Sequence, residues 1–185
     1  MKKFSIFNSH FSLPSGFTLI EILIAVAIVG ILASATLAAI NPLEQIKKSN
    51  DARRKADLTE IQKALDMYYQ DQGRYPASSG DYKISVNNQI IEWGSKWAAG
   101  NGQPYMVKVP ADPVGGKSYI YFSPPGSNGQ TYYLYANLER GDKDPQACNN
   151  GNACSSFSTG GQGFPPGTAC SPVCNFGVSS TNVSP

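Results

Sequence analysis

Histidine is almost absent from this sequence: the one histidine, His10, lies close to the N-terminus. Histidine is the commonest general base in enzymes and a frequent metal ligand. The sequence also contains no glycine-rich phosphate loop and no motif typical of a serine or cysteine nucleophile. These absences weigh against a catalytic function.

Acidic residues are absent before Glu21, whereas Lys2 and Lys3 both precede Gly16. The whole chain has a formal net charge of +2, from 15 Lys and Arg against 13 Asp and Glu. A chain that began at Phe17 would have thirteen residues of each sign and no net charge. Because nucleic-acid binding depends on clustered Lys and Arg, nucleic acid is not indicated as a partner.

Cysteine is absent from the first 147 residues, and the four cysteines are Cys148, Cys154, Cys170 and Cys174. In an exported domain they favour disulfide bonds, for which three connectivities exist. The nearest-neighbour pairs, Cys148 with Cys154 and Cys170 with Cys174, are preferred because each pair brackets a short loop that contains Gly or Pro. A zinc site is the alternative, but these spacings without histidine match structural zinc ligation poorly.

Charge is also scarce in one long segment, since residues 17–40 contain only Glu21. A helix of that length is roughly 36 Å long, enough for the ~30 Å hydrocarbon core of a bilayer. The segment predicts a membrane anchor followed by one exported domain, and a secretory signal or a plain signal anchor are the alternatives. Five basic residues follow the segment and, by the positive-inside rule, would place that flank in the cytoplasm: Lys47, Lys48, Arg53, Arg54 and Lys55.

The head of the apolar segment reads Ser15-Gly16-Phe17-Thr18-Leu19-Ile20-Glu21. It resembles the recognition sequence of prepilin peptidase in the type IV pilin and type II secretion pseudopilin family. The resemblance implies cleavage between Gly16 and Phe17, followed by N-methylation of Phe17. It also explains the exported domain, and for that reason we set the positive-inside count aside.

The presence of Glu21 in the apolar segment requires a physical explanation, because a carboxylate costs roughly 2.5–3.5 kcal/mol at the centre of a membrane helix. Cleavage after Gly16 would leave Glu21 one turn from a new helix N-terminus, where the helix dipole and the free amine favour a negative charge. The family resemblance implies that Glu21 pairs with the N-terminal amine of a neighbouring subunit during assembly. Glu21 at the headgroup boundary without a partner is the alternative.

Gly30 and Pro42 are two soft points in the long helix, and the resemblance implies that they permit bending during assembly. We expect Asn41-Pro42 to interrupt the helix without ending it. Beyond it the apolar residues recur at helical spacing and predict a buried stripe: Leu58, Ile61, Leu65 and Tyr68. Gly73 is a candidate C-cap, and the string Gly73-Arg74-Tyr75-Pro76 is similar to the helix exit of the same family.

Short apolar and Tyr-rich runs follow Pro76 and predict strands, the last two of which form a hairpin around the loop 124–129. The fold class is therefore α+β: a long N-terminal helix packed on a small antiparallel sheet, pilin-like, with a disulfide-closed C-terminal region. The expected divisions are a leader (1–16), a membrane and filament-core half-helix (17–40), an amphipathic half-helix (41–73), a sheet domain (74–145) and a Cys-, Gly- and Ser-rich region (146–185).

The stretch 108–116, with its Pro, Asp-Pro and Gly, is similar to a loop of the major pseudopilin, a protein that binds calcium near its C-terminus. Asp142 and Asp144 lie in the equivalent region here and offer the oxygen ligands that calcium prefers. The spacing is common in surface loops, and calcium is a minor expectation with no other cofactor indicated. Asn182-Val183-Ser184 matches a glycosylation acceptor, a pattern that often occurs by chance.

A structural function follows: a subunit stored in the membrane as a prepilin and polymerised through its N-terminal helix. The cysteine-rich tail favours a type IV pilus or pilus-like filament, and a type II secretion pseudopilin or a minor tip adhesin or DNA-uptake pilin is the alternative. The expected location is a single-pass membrane protein that becomes an extracytoplasmic filament. The resemblance implies these partners: related pilin subunits, prepilin peptidase, an inner-membrane platform, an assembly ATPase and, before assembly, membrane lipid.

Overall fold

The computed structural model describes residues 16–98, 103–155, 166, 168–181 and 185, and the chain divides after Pro42 into two compact units. The first unit contains helix α1, Leu19–Ile40. This helix forms because its 22 residues are apolar or small apart from Glu21, contain no proline, and follow Thr18, whose side chain caps the first turn. The α+β class predicted from the sequence is confirmed.

The prediction of one interrupted but continuous helix is wrong at Asn41. Helix α1 ends at Ile40, Asn41 adopts a left-handed conformation with φ 45° and ψ 77°, and helix α2 begins at Pro42. A residue before proline is disfavoured in the α-helical region, and asparagine tolerates the left-handed one. Proline in turn suits the first position of a helix, where its missing N–H has no partner to lose.

Helix α2, Pro42–Gln72, carries the predicted stripe on the buried face of the second unit. Leu58, Ile61, Leu65 and Tyr68 are all buried, as the spacing predicts. The helix ends where the sequence indicates, because Gly73 takes a positive φ of 69° and its N–H donates to the carbonyl of Tyr69 at 2.8 Å.

Eight short strands form three antiparallel sheets in the described part of the chain, rather than the one small sheet expected. The first contains β1 (Ala77–Ser78), β2 (Ile84–Val86) and β3 (Gln89–Ile91), and the second pairs β4 (Trp97–Ala98) with β5 (Pro104–Met106). The third contains β6 (Ile120–Phe122), β7 (Tyr133–Ala136) and β8 (Phe176–Ser179). The sheets are small because Gly, Pro and Asn interrupt the strand-forming residues every few positions.

The predicted hairpin is strands β6 and β7, with Tyr121 opposite Leu134. Strand β8 was missed from the sequence, and it brings the cysteine-rich tail onto the outer edge of β7, with Tyr135 opposite Gly177. Buried tyrosines and Trp97 fill the space between α2 and the sheets. The main core is therefore aromatic, as the abundance of Tyr in this part of the sequence suggests.

Candidate site for processing and assembly

The predicted cleavage site lies just before α1. Gly16 and Phe17 are outside the helix and exposed, with Phe17 81% exposed. The remainder of the predicted leader, residues 1–15 with His10, lies outside the described residues, as does the glycosylation acceptor pattern at 182–184. Both residues of the predicted cleavage site therefore lie in an exposed segment that precedes the helix.

Glu21 lies in the first turn of α1 and forms a capping box with Thr18. Its carboxylate oxygen Oε2 accepts the backbone N–H of Thr18 at 3.1 Å and the hydroxyl of Thr18 at 2.9 Å. The Thr18 hydroxyl in turn accepts the backbone N–H of Glu21 at 3.2 Å. The negative charge of Glu21 thus faces the helix N-terminus, where the helix dipole stabilises it.

The surface of α1 is apolar and uncovered, because every described side chain in residues 17–36 is exposed. Within the described residues, Leu19–Thr36 is long and apolar enough to cross a membrane by length and composition. Gly30 lies in the middle of this stretch, and a Cβ added there would meet no atom within 4 Å. A helix with so much exposed apolar surface requires an apolar environment, either lipid or other helices.

A second polar site lies in the globular unit, centred on Arg54 of α2. The Arg54 side chain is completely buried, and its Nε and Nη2 donate to the two carboxylate oxygens of Asp112, both at 2.8 Å. Its Nη1 donates to Asp51 at 2.9 Å and reaches Glu139 at 3.5 Å. Burial alone would lower the pKa of Arg54, but hydrogen bonds to Asp112 and Asp51, with the charges of Asp112 and Glu139, raise it above its ordinary value.

Asp51 extends this cluster to the loop that follows β7. Its two oxygens accept the backbone N–H groups of Glu139 and Arg140 at 2.8 and 2.9 Å. Asp51 and Arg54 are spaced three residues apart and continue the phase of the apolar stripe that begins at Leu58. Charged residues at core positions of a helical pattern are the signal that could have identified them, although their partners in the other loops could not be read from the sequence.

The two calcium candidates are not brought together as a metal site. Asp144 accepts the Lys55 ammonium at 2.5 Å and the backbone N–H of Gln146 at 2.9 Å, while Asp142 is exposed in a short 3₁₀ helix, Gly141–Lys143. Partial burial would raise the pKa of Asp144, but Lys55 and the Gln146 N–H hold it below its ordinary value. Among the described residues, no group of three His, Cys, Asp or Glu is arranged to hold a metal ion. The geometry gives calcium no support.

The cysteine-rich region is closed by two disulfide bonds, Cys148–Cys154 and Cys170–Cys174, which are the nearest-neighbour pairs that the sequence favoured. The buried Asn175 follows directly. Its side-chain carbonyl accepts the Leu138 N–H at 2.7 Å, and its amide donates to the carbonyls of Leu138 at 3.0 Å and Gly151 at 3.2 Å. Asn175 was not identified from the sequence. It connects the tail to the loop after β7, whose backbone N–H groups also bind Asp51.

Comparisons with known proteins agree with the N-terminal geometry. A family model described as the prokaryotic N-terminal methylation motif matches residues 14–37, and the model of type II secretion system (T2SS) protein G matches residues 41–151. The type II secretion system core protein G of Pseudomonas aeruginosa is 36% identical over 142 residues, covering 72% of this chain and 91% of that protein.

Other relatives have the same name. The Klebsiella pneumoniae protein is 34% identical over 115 residues, covering 62% of this chain and 78% of its own length. The Escherichia coli protein is 32% identical over 114 residues, covering 62% of this chain and 74% of its own length. No solved structure gave a significant match. Because the protein G model matches more than half of the sequence, the chain belongs to the type II secretion system protein G family.

Proposed function

We propose that this chain is a pseudopilin: a subunit stored in the inner membrane as a prepilin, cleaved between Gly16 and Phe17, methylated at Phe17 and polymerised through α1 into a periplasmic pseudopilus. The observation that carries this proposal is helix α1 itself, which combines a wholly exposed apolar surface with one carboxylate in its first turn. Family membership supports a structural rather than a catalytic role.

Glu21 is the residue that would align an incoming subunit. Both hydrogen bonds from Thr18 go to Oε2, and within the described residues Oε1 accepts none. The N-terminal amine of Phe17 in a neighbouring subunit would bind Oε1 without displacing Thr18. In an apolar environment such a charge-assisted hydrogen bond is stronger than in water, so it would select one register among several apolar alternatives.

The proposed partners follow from this cycle. Prepilin peptidase would cut and methylate the chain, and an inner-membrane platform with a cytoplasmic ATPase would drive its polymerisation with related pseudopilin subunits. Gly30 and Pro42 would serve as the flexible points of the N-terminal segment. The proposed divisions of the chain remain those given by the sequence, except that the tail after residue 146 shares a sheet with β7.

A surface pilus subunit is the second candidate function. Residues 152–185 lie beyond the protein G match and contain three of the four disulfide cysteines. A cysteine-rich tail of this kind is the sequence feature that favours a pilus. Electron microscopy of intact cells separates the two candidates. Long filaments on the cell surface at native expression would favour the pilus, and their absence alongside purified short fibres would favour the pseudopilus.

The function is tested by Glu21→Gln, which keeps the size of the side chain and removes its charge. We expect the variant to insert and to be cleaved like the wild type but to give a much lower filament yield. Ser34→Ala is the matched control, because the Ser34 hydroxyl bonds only to the Ile31 carbonyl of its own helix within the described residues. Normal filament yield from Glu21→Gln would overturn the assembly role.

A further inference from the structure

Four cationic side chains gather where α2 begins, and we call them the basic foot: Lys47, Lys48, Arg140 and Lys143. Glu44 shows that three of them share one surface, because its carboxylate lies 3.0 Å from Lys47, 3.2 Å from Arg140 and 3.7 Å from Lys143. Lys48 lines one pocket of about 400 Å³ together with Arg140 and Lys143.

The foot keeps an excess of positive charge. Glu44 is shared among three cations, and Lys48 has no ion-pair partner within the described residues. The hydrogen bond and charge of Lys47, with the charges of Lys143 and Arg140, hold the pKa of Glu44 below its ordinary value.

The acids near the foot do not remove this excess. Asp51 is bonded to Arg54. Asp144 pairs with Lys55 and interacts only more weakly with Arg140, so neither acid forms an ion pair with a member of the foot. Asp142 is exposed on the same 3₁₀ helix as Lys143. Four cations therefore face two carboxylates, those of Glu44 and Asp142.

Exposed apolar side chains adjoin these cations. Leu43 is 68% exposed and Ile46 is 56% exposed, both in the first turns of α2. A helix that presents large apolar side chains beside lysines is typical of the interface between lipid headgroups and acyl chains.

The chain also limits how far the foot can be from the membrane. Leu43 is three residues from Ile40, the last residue of the apolar segment, and three residues span at most about 11 Å in any conformation. The headgroup layer on each side of the hydrocarbon core is roughly 5–8 Å thick. When α1 spans the bilayer, the first turn of α2 is therefore held at or next to the headgroups.

We propose that the basic foot binds the phosphate groups of anionic phospholipids while the subunit is stored in the membrane, with Leu43 and Ile46 inserted between the headgroups. This inference rests on the proposed membrane storage of α1. The contact would hold the start of α2 at the membrane surface and would be broken when the subunit enters a filament. Because it is electrostatic, added salt weakens it.

The test uses the mature full-length chain in lipid nanodiscs, made either of zwitterionic phospholipid alone or with added anionic phospholipid. Hydrogen–deuterium exchange reports on the amides of 43–48 and 140–144. We expect slower exchange in the anionic discs, and we expect Lys48→Glu with Lys143→Glu to remove the difference. Each cation near an anionic surface should contribute roughly fivefold to the slowing.

The matched control is Lys63→Glu with Lys96→Glu, which changes the charge equally at exposed lysines elsewhere. Lys63 lies fifteen residues beyond Lys48 on α2, about 22 Å along the helix. Lys96 precedes Trp97, whose ring packs on Tyr68 further along the same helix. The control variant should retain the slowing in anionic discs, and higher salt should reduce the slowing in the wild type.

Equal exchange of wild-type chain in both lipids would overturn the lipid contact. Slowing that arises only in purified filaments would also overturn it, and would assign the foot to an acidic surface of a neighbouring subunit. Equal loss in the control and foot variants would show a general charge effect and would likewise contradict a specific site. Failure of the mature chain to insert into the discs would count against the proposed membrane storage itself, a separate result.

Discussion

Arg54 is one of five basic residues after the apolar run, and a positive-inside count would place this flank in the cytoplasm. In the structure Arg54 is buried against Asp112 and Asp51, and Lys55 is bonded to Asp144. Two of the five charges therefore have a structural use inside the globular unit, so their presence does not require that this flank face the cytoplasm.

Replacing Arg54 by Met should destabilise the globular unit strongly, because it leaves the carboxylates of Asp51 and Asp112 without their cation. We expect a loss of about 3–5 kcal/mol in the free energy of unfolding. Denaturant unfolding of the full chain in detergent, followed by the fluorescence of Trp93 and Trp97, measures it.

The neighbouring residue supplies the control. The Arg53 side chain is 65% exposed and 3.9 Å from Asp57, so Arg53→Met should change the free energy of unfolding by less than about 0.5 kcal/mol. Equal effects of the two substitutions would contradict the role given to the buried cluster.

The free energy of unfolding should depend on the hydrogen bonds that the side-chain amide of Asn175 donates. Asn175→Asp keeps the shape but turns two donated hydrogen bonds into contacts between a carboxylate and the carbonyls of Leu138 and Gly151. We expect a loss of about 2–3 kcal/mol, because buried acceptors lose their donors. Asn152→Asp, at an exposed position in the same region, is the control and should change the stability little.

At the scale of elements, local patterns predicted α2, its buried stripe, its end at Gly73 and the β6–β7 hairpin. These features depend on residues only a few positions apart. The Arg54–Asp112 contact joins residues 58 positions apart, and β8 pairs with β7 across a Gly-rich region. Neither leaves a periodic signal, so neither could be predicted. The break at Asn41 is larger than the sequence predicts, because a proline within a helical pattern can either kink one helix or begin another, and Pro42 begins α2.

The Cys170–Cys174 disulfide precedes β8 closely and should order the entry to that strand. We expect Cys170→Ala with Cys174→Ala to lower the free energy of unfolding by roughly 2 kcal/mol, the amount expected for closing so short a loop. Amide exchange should quicken first in β8 and only slightly in β6, which lies across β7. Unchanged exchange in β8 would show that its pairing with β7 suffices.

Tyrosines between α2 and the sheets make the globular unit sensitive to alkali. Burial, followed by the charge of and hydrogen bond to Asp66, raises the pKa of Tyr75 to about 12, and burial also raises the pKa of Tyr119 and Tyr132. The pKa of tyrosine in the unfolded chain is about 10, so the stability that these tyrosines contribute is fully present below pH ~10. It is lost as the pH rises from there through the raised pKa values of the folded protein.

Denaturant midpoints at pH 8 and pH 11 measure this loss. Tyr75→Phe removes one ionisable group, so the variant should lose less stability than the wild type between the two pH values. An identical pH response in both chains would show that Tyr75 does not contribute.

The whole molecule joins two units that require different surroundings. Helix α1 is apolar on all described faces and carries a single charge, whereas the globular unit has a closed aromatic core and its own disulfides. The comparisons favour the pseudopilin over the pilus that the cysteine-rich tail suggested. A tail beyond the protein G match is thus a weak guide to the kind of filament.

If cleavage after Gly16 prepares α1 for assembly, the intact mass of the native protein must show that cleavage. We expect a chain that begins at Phe17, carries one added methyl group and has lost four hydrogens to two disulfide bonds. A mass that retains residues 1–16, or that corresponds to cleavage within α1, would contradict it.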